Sequence, residues 1–240
     1  MLKMSRPNVL LQILRHYSES TRIKQSFNSM SQPIPKRGAL IVFEGCDRTG
    51  KTTQCKLLVD KLKSAGVEAM FMNFPDRSTQ CGQLINGYLT RKDDFTDEGI
   101  HLMFTLNRWE KMKEMEKHLN SGVNLLVDRY SFSGVAFSAA KGLNIEWCKA
   151  PEAGLLKPDL VFLLTVDAET LAKRGGFGDE RYEIPEFQNK VMKMYQLLKD
   201  EEYWKEVTAN KTPNELTDEL FGIVLNTIKH CEGKALQKLW

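Results

Sequence analysis

The stretch Gly45-Cys46-Asp47-Arg48-Thr49-Gly50-Lys51-Thr52 fits the spacing G-x-x-x-x-G-K-[ST], the loop that holds the phosphates of a nucleoside triphosphate. It constrains the fold because it works only between a strand and a helix. Ala39-Leu40-Ile41-Val42-Phe43, just before it, is an apolar run of strand length. Thr53 to Lys63, just after it, reads as a helix with Leu57, Leu58 and Leu62 on one face. Gly45 and Gly50 let successive N–H groups turn into one concavity. The helix start points its positive dipole end at the same place. Thr49 and Thr53 flank the gripping residues. Lys51 can reach the β- and γ-phosphates, and the Thr52 hydroxyl is positioned to ligate Mg²⁺. A glycine-rich turn with a solvated lysine would explain the bend but not Lys-Thr at this spacing.

Further strand and helix patterns alternate along the chain. Val67–Phe74, Asn124–Val127, Leu160–Val166 and Glu206–Ala209 read as strands, and Gly99–Leu119, Glu186–Lys199 and Asn214–Lys229 as helices. Leu160–Val166 is a continuous apolar run, the mark of a strand buried on both faces. The alternation predicts an α/β fold, a parallel sheet with helices on both faces. Ligands in such folds sit beyond the carboxyl ends of the strands. Asp128 follows Leu125-Leu126-Val127 and so stands where a strand-end carboxylate helps to hold Mg²⁺. Arg129 beside it is placed to bridge phosphates.

The bulk numbers exclude several classes. A chain of 240 residues suffices for one large α/β domain with a short appendage. A net charge of +3 with no cluster of Lys and Arg argues against nucleic-acid binding. No apolar stretch is long enough for a membrane span. The cysteines (Cys46, Cys55, Cys81, Cys148, Cys231) are scattered, odd in number and lack a C-x-x-C pair, which suits reduced thiols in a reducing compartment. Residues 1–35 form an N-terminal extension. They carry Lys3, Arg6, Arg15, Arg22 and Lys24 against the single acid Glu19 and are rich in Ser. That composition suits a mitochondrial transit peptide and equally a disordered extension or an upstream start, with Met30 opening a compact form. The expected location is the cytoplasm, with the nucleus beside it. The mitochondrion is the alternative if residues 1–35 act as a transit peptide.

A phosphate loop serves switches, motors and kinases alike. A GTP switch needs N-K-x-D, and Asn210-Lys211-Thr212-Pro213 has Pro where Asp belongs. It also needs D-x-x-G after the metal-side strand, where Arg129, Tyr130 and Ser131 stand instead. What the chain has is arginine in separate places: Arg48, Arg77, Arg108, Arg129, Arg174 and Arg181. Phosphoryl transfer between two phosphates gathers negative charge, which planar guanidinium forks offset well. The stretch 174–183, Arg174-Gly175-Gly176-Phe177-Gly178-Asp179-Glu180-Arg181-Tyr182-Glu183, reads as a mobile lid with glycine hinges. Phe104 and Arg108 lie four apart and share a helix face, a plausible base reader, although an aromatic at this spacing is more often core.

Taken in order, Phe43 to Gln54, Phe74-Pro75-Asp76-Arg77, Phe104 to Trp109, Asp128-Arg129-Tyr130 with Ser133 to Phe137, and Gly178 to Tyr182 closely resemble thymidylate kinase (dTMP kinase) of the eukaryotic type, which carries an arginine inside the phosphate loop. The resemblance runs from about Arg37 to Thr212. It implies a P-loop kinase fold over residues 36–240, with ATP and Mg²⁺ as cofactors and dTMP as the small-molecule partner. Lys51, Thr52 and Asp128 would hold ATP phosphates and Mg²⁺, and Arg48 would stabilise the transferring group. Asp47 would accept from the sugar 3′-hydroxyl, and Arg77 and Arg129 would hold the acceptor phosphate. Phe104 would stack on thymine while Arg108 bonds its carbonyl edge. Phe74, Ser133 and Gly134 would line the acceptor pocket, and Phe137 would crowd the sugar 2′ position. Tyr182 and Gln188 would close over the substrate. Arg174, Arg181 and the Ala209-Asn210-Lys211 turn belong with ATP. Family members usually form homodimers. Asp76 departs from the more usual Glu.

Two alternatives stand beside this reading. One is a kinase for another deoxynucleotide or for a deoxynucleoside, with Asp76 as the carboxylate base. Arg77 argues against the deoxynucleoside, because it suits a phosphorylated acceptor; Asp76 keeps that option open. The other is a silent nucleotide-binding module, which would be expected to have lost Lys51, Arg48 or Asp128.

Overall fold

The computed structural model describes residues 37–174 and 180–240. The expectations for residues 1–35 and for the middle of the lid, 175–179, lie outside the described residues.

Five strands form one sheet: β1 (Leu40–Glu44), β2 (Ala69–Asn73), β3 (Asn124–Asp128), β4 (Leu160–Thr165) and β5 (Trp204–Thr208). All the pairings are parallel, in the order β2-β3-β1-β4-β5. β1 therefore lies at the centre. Its side chains alternate between two cores, Leu40 and Val42 on one face, Ile41 and Phe43 on the other, where Ala39 just before the strand joins them. β4 does the same with Val161 and Leu163 against Leu160, Phe162 and Leu164. This two-faced burial is why both strands read as unbroken apolar runs.

Helices fill the crossovers: α1 (Lys51–Ser64), α2 (Gln80–Leu89), α3 (Asp97–Trp109), α4 (Met112–Asn120), α5 (Ser131–Ala140), α6 (Ile145–Lys149), α7 (Ala168–Lys173), α8 (Pro185–Leu198) and α9 (Pro213–Cys231). On α1 the buried face is Lys51, Gln54, Cys55, Leu58, Val59 and Leu62, so Leu57 contributes less than its spacing suggests.

Several boundaries differ from the sequence reading. The expected single helix Gly99–Leu119 is two helices, broken at Glu110 and Lys111. α3 buries Ile100, His101, Thr105, Asn107 and Arg108, whereas α4 buries Met112, Met115 and Leu119 against the sheet. One straight helix cannot present both faces. α5 was not expected at all. Its sequence, SFSGVAFSAA, is buried nearly throughout, so it has no amphipathic period to read. β5 begins two residues earlier than expected, at Trp204, because Lys205 and Glu206 are exposed in sequence and break the alternation.

The parallel register decides where chemistry collects. Phe43 pairs with Asp128, and Asn73 pairs with Asp128 from the other side. The ends of β1, β2 and β3 thus bring the phosphate loop, the Phe74–Arg77 loop and Asp128-Arg129 to one edge.

Candidate active site

The phosphate loop leaves β1 at Gly45, whose φ of 136° lies in glycine territory, and whose Cα packs so tightly on Leu164 O that a Cβ has no room. Gly50, at φ 95°, is the N-cap of α1 and turns the chain into the helix. Arg48 between them is held at φ 63°, a conformation uncommon for a residue with a side chain. Its guanidinium reaches Glu183 of the lid end at 3.4 Å.

Lys51 is buried and its ammonium donates to Cys46 O at 2.5 Å and to Thr49 Oγ1 at 3.3 Å. Burial and the nearby Arg129 lower it from its ordinary value to about 8, against the pull of Asp128 and Asp47. Thr52 Oγ1 donates to Asp128 Oδ2. The other oxygen, Asp128 Oδ1, is buried with no hydrogen-bond partner among the described residues.

Arg129, also at a left-handed φ of 63°, turns back over the loop. It donates through Nη1 to Gly45 O at 3.0 Å and to Ser133 Oγ at 3.1 Å, and through Nη2 to Asp47. Its guanidinium lies 5.1 Å from the Phe137 ring. Burial alone pushes the Asp47 carboxyl up, but Arg129, Lys51 and Gln188 together hold it below the usual range. Gln188 clamps Asp47 from behind, accepting from Asp47 N at 2.9 Å and donating to Asp47 Oδ2 at 2.7 Å.

Two cavities open on this edge. One, of 360 Å³, is lined by Asn73, Phe74, Arg77, Phe104, Arg108, Ser133, Gly134, Phe137 and Tyr182 among others. The second, of 660 Å³, is lined by Arg48 through Gln54 and by Thr170, Arg174 and Lys211. Asp47, Thr52, Asp128 and Arg129 line both. Arg174 bridges the far wall, donating to Arg48 O at 2.7 Å and to Ala209 O at 2.6 Å.

At the closed end of the first cavity, Arg108 is 2% exposed and pairs with Glu152, which is fully buried. Its Nε donates to Glu152 Oε2 at 2.9 Å and its Nη2 to Oε1, while Thr105 Oγ1 donates to Glu152 Oε1 at 2.5 Å. Gly134 is glycine for space: a Cβ there would press into Arg108 Nη2 and stand 3.0 Å from Cζ. Tyr182 lines the same cavity, stacked on Phe187 at 5.3 Å and tilted against Phe137 at 5.5 Å.

Most of the residues singled out in sequence thus converge, but a few do not line either cavity. Arg181 points to the α2–α3 loop, where it lies 4.1 Å from the Tyr88 ring and donates to Asp94 Oδ1 at 2.5 Å. Asn210 donates to Asp167 Oδ2 at 2.7 Å, leaving its neighbours Ala209 and Lys211 at the cavity. Gln188 acts on Asp47 and on Tyr182 O at 2.8 Å from outside the lining. Asp76 also stays out: it pairs with Lys111 at 2.8 Å and caps Ser78. Burial pushes its carboxyl up, but the bonds to Lys111 and Ser78 hold it at about 2. A carboxylate so engaged is a poor base for a nucleoside hydroxyl. Residues the sequence reading missed include Asn73 and Ser138 at the first cavity, Thr170 at the second, and Glu152, which lies behind the first cavity's lining on Arg108; they carry no motif. Thr105, bonded to Glu152, and Glu180, on the first cavity, fall inside the segments that carry the resemblance, which names no role for them.

The chain matches the thymidylate kinase family over residues 43–220. It is 49% identical to a thymidylate kinase of Arabidopsis thaliana, an alignment covering 97% of this chain and 89% of that protein. It is 45% identical to the thymidylate kinase of Homo sapiens, over 85% of this chain and 98% of the relative. Among solved structures it resembles the thymidylate kinase of Candida albicans, with a TM-score of 0.76 and 36% identity over 85% of this chain and 99% of the other.

Proposed function

The chain belongs to the thymidylate kinase family, and on that premise we infer that it transfers the γ-phosphoryl group of ATP to dTMP, giving dTDP and ADP. The observation that carries this reading is the shared wall of the two cavities: Asp47, Thr52, Asp128 and Arg129 border both. Two nucleotides seated on either side would bring their phosphates together at that wall.

ATP occupies the larger cavity, its phosphates on the loop amides, the start of α1 and Lys51. Lys51 leaves its carbonyl partner Cys46 O for the phosphates. dTMP occupies the smaller cavity, with thymine between Phe104 and the Arg108 fork and its phosphate toward Arg77 and Arg129. Arg48 stabilises the charge that spreads over the transferring group, a contribution of roughly 10³–10⁵ in rate for such arginines. Chemistry of this kind needs positioning and charge stabilisation rather than a covalent intermediate.

The unpartnered Asp128 Oδ1 beside Thr52 Oγ1 fits a Mg²⁺ site. Among the described residues no cluster of three or more His, Cys, Asp or Glu could hold a metal ion alone, which suits an ion that takes most of its ligands from phosphate and water. Bound there, Mg²⁺ neutralises charge on the transferring phosphates.

The chain acts as a homodimer. α3 leaves Leu102, Leu106 and Trp109 exposed by 46%, 55% and 39% on one helix face, an apolar stripe suited to a second copy. Light scattering decides this. For location the reading is the cytoplasm and nucleus, with the mitochondrion as the alternative through residues 1–35. Imaging of the tagged full chain with and without them separates the two.

The enzymatic reading is tested by ADP release from MgATP with a panel of nucleosides and nucleoside monophosphates. The highest kcat/KM is expected for dTMP. A nucleoside that outpaces every monophosphate would overturn it.

A further inference from the structure

Glu44 ends β1, directly before the phosphate loop, and has no exposed surface. It lies outside the lining of both cavities. Its Oε1 accepts from the main-chain N–H of Tyr130 at 3.0 Å and of Ser133 at 3.1 Å. Its Oε2 accepts from the Ser133 hydroxyl at 2.5 Å and from the Tyr195 hydroxyl at 3.0 Å. Four donors converging on two oxygens is the surrounding of an acceptor-only carboxylate.

A serine hydroxyl has one proton to give. Ser133 gives it to Glu44 and so turns its lone pairs toward Arg129, whose Nη1 donates to it at 3.1 Å. Without an acceptor at Glu44, the hydroxyl has Tyr195 Oη, 2.8 Å away, to take its proton, and its lone pairs lose their fixed aim at Arg129. Burial of Arg129 disfavours its charge, and Asp47, Tyr195, Asp128 and Glu44 offset that cost.

We propose that Glu44 is a positioning residue for the acceptor phosphate: through the Ser133 hydroxyl it fixes the Arg129 guanidinium at the wall the two cavities share. This rests on the reading of Arg129 as a clamp on the dTMP phosphate. Glu44 touches no substrate. It sets the orientation of the group that does, and ties β1, α5 and α8 to that orientation.

The test compares Glu44→Gln, Ser133→Ala and the double variant with the wild-type chain, reading kcat, KM for dTMP, KM for ATP and melting temperature. The amide of Glu44→Gln keeps an acceptor for the main-chain groups but turns a donor toward Ser133. Ser133→Ala cuts the same relay while leaving both main-chain bonds to Glu44. Each single variant is expected to raise KM for dTMP about tenfold, with KM for ATP within about twofold of wild type. The double variant is expected to be no worse than the worse single, because both interrupt one chain of bonds. An unchanged KM for dTMP in Ser133→Ala overturns the proposal even where Glu44→Gln does not fold. So does a drop in melting temperature with both KM values moved alike, or a double variant in which the two effects multiply. A wild-type chain with no dTMP turnover would instead sink the functional reading, and the proposal with it.

Discussion

Gly134→Ala is the substitution whose outcome the packing constrains most. In an exposed helix this change stabilises by about 1 kcal/mol. Here the added Cβ would press into Arg108 Nη2 and approach Cζ to 3.0 Å, so the guanidinium must move. Among the described residues its buried counter-ion is Glu152, held by Nε at 2.9 Å and by Nη2. Overpacking of this kind costs about 1–3 kcal/mol, and each weakened charge-assisted bond about 1.5–3 kcal/mol. With one such bond weakened and the helix gain set against it, the net is about 1.5–5 kcal/mol of destabilisation. For a chain of this size that lowers the melting temperature by roughly 3–20 °C. The same shift spoils the closed end of the acceptor cavity but leaves the donor cavity, whose lining includes neither residue. Initial rates of ADP release, with dTMP varied at saturating MgATP and then the reverse, separate the two. KM for dTMP is expected to rise more than tenfold with KM for ATP unchanged. A higher melting temperature with KM for dTMP unaltered would refute the packing argument.

Other outcomes follow from the same geometry. Arg48→Ala should lower kcat by roughly 10³-fold or more while ATP affinity, measured by calorimetry, changes little. Asp128→Asn should raise the Mg²⁺ concentration for half-maximal rate by about tenfold, and a magnesium titration at fixed ATP reads this directly. Lys51, lowered by burial from 10.5 to about 8, is protonated in the unfolded chain and neutral in the folded one between those values. Stability of the unliganded protein should therefore rise with pH across that window, and KM for ATP should rise above about pH 8 as the phosphate-binding ammonium is lost. A Lys51→Met variant should show neither effect. Phe137→Ala should narrow the preference for deoxyribose over ribose acceptors; an unchanged ratio of rates would remove Phe137 from that role.

What could be read in the sequence was whatever depends on spacing along the chain. The phosphate loop, the strand-end Asp128 and the apolar runs of β1 and β4 follow from local pattern, and the parallel register then brings Asp128 beside Phe43. α5 was hidden because burial on all sides erases the helical period, and because Ser and Gly serve there as contacts to Glu44 and Arg108 rather than as breakers. Glu152 carries no signal at all: its Ala-Pro-Glu turn looks like surface until Arg108 arrives from a helix 44 residues away in sequence. Glu44 falls inside a segment that carries the resemblance, but nothing in its spacing signals the four donors that meet it inside the fold. Arg181 shows the opposite limit. An arginine in a lid reads as a phosphate ligand, yet Tyr88 and Asp94 hold it on the outer side.

The central claim is direct transfer across the wall that the two cavities share. Incubating the protein with Mg²⁺ and ATP labelled at the γ-phosphorus, with and without dTMP, tests it in one measurement. The expected result is label in dTDP only when dTMP is present, with none retained on the protein. Label on the protein, or release as inorganic phosphate at the same rate whether or not dTMP is added, would contradict it.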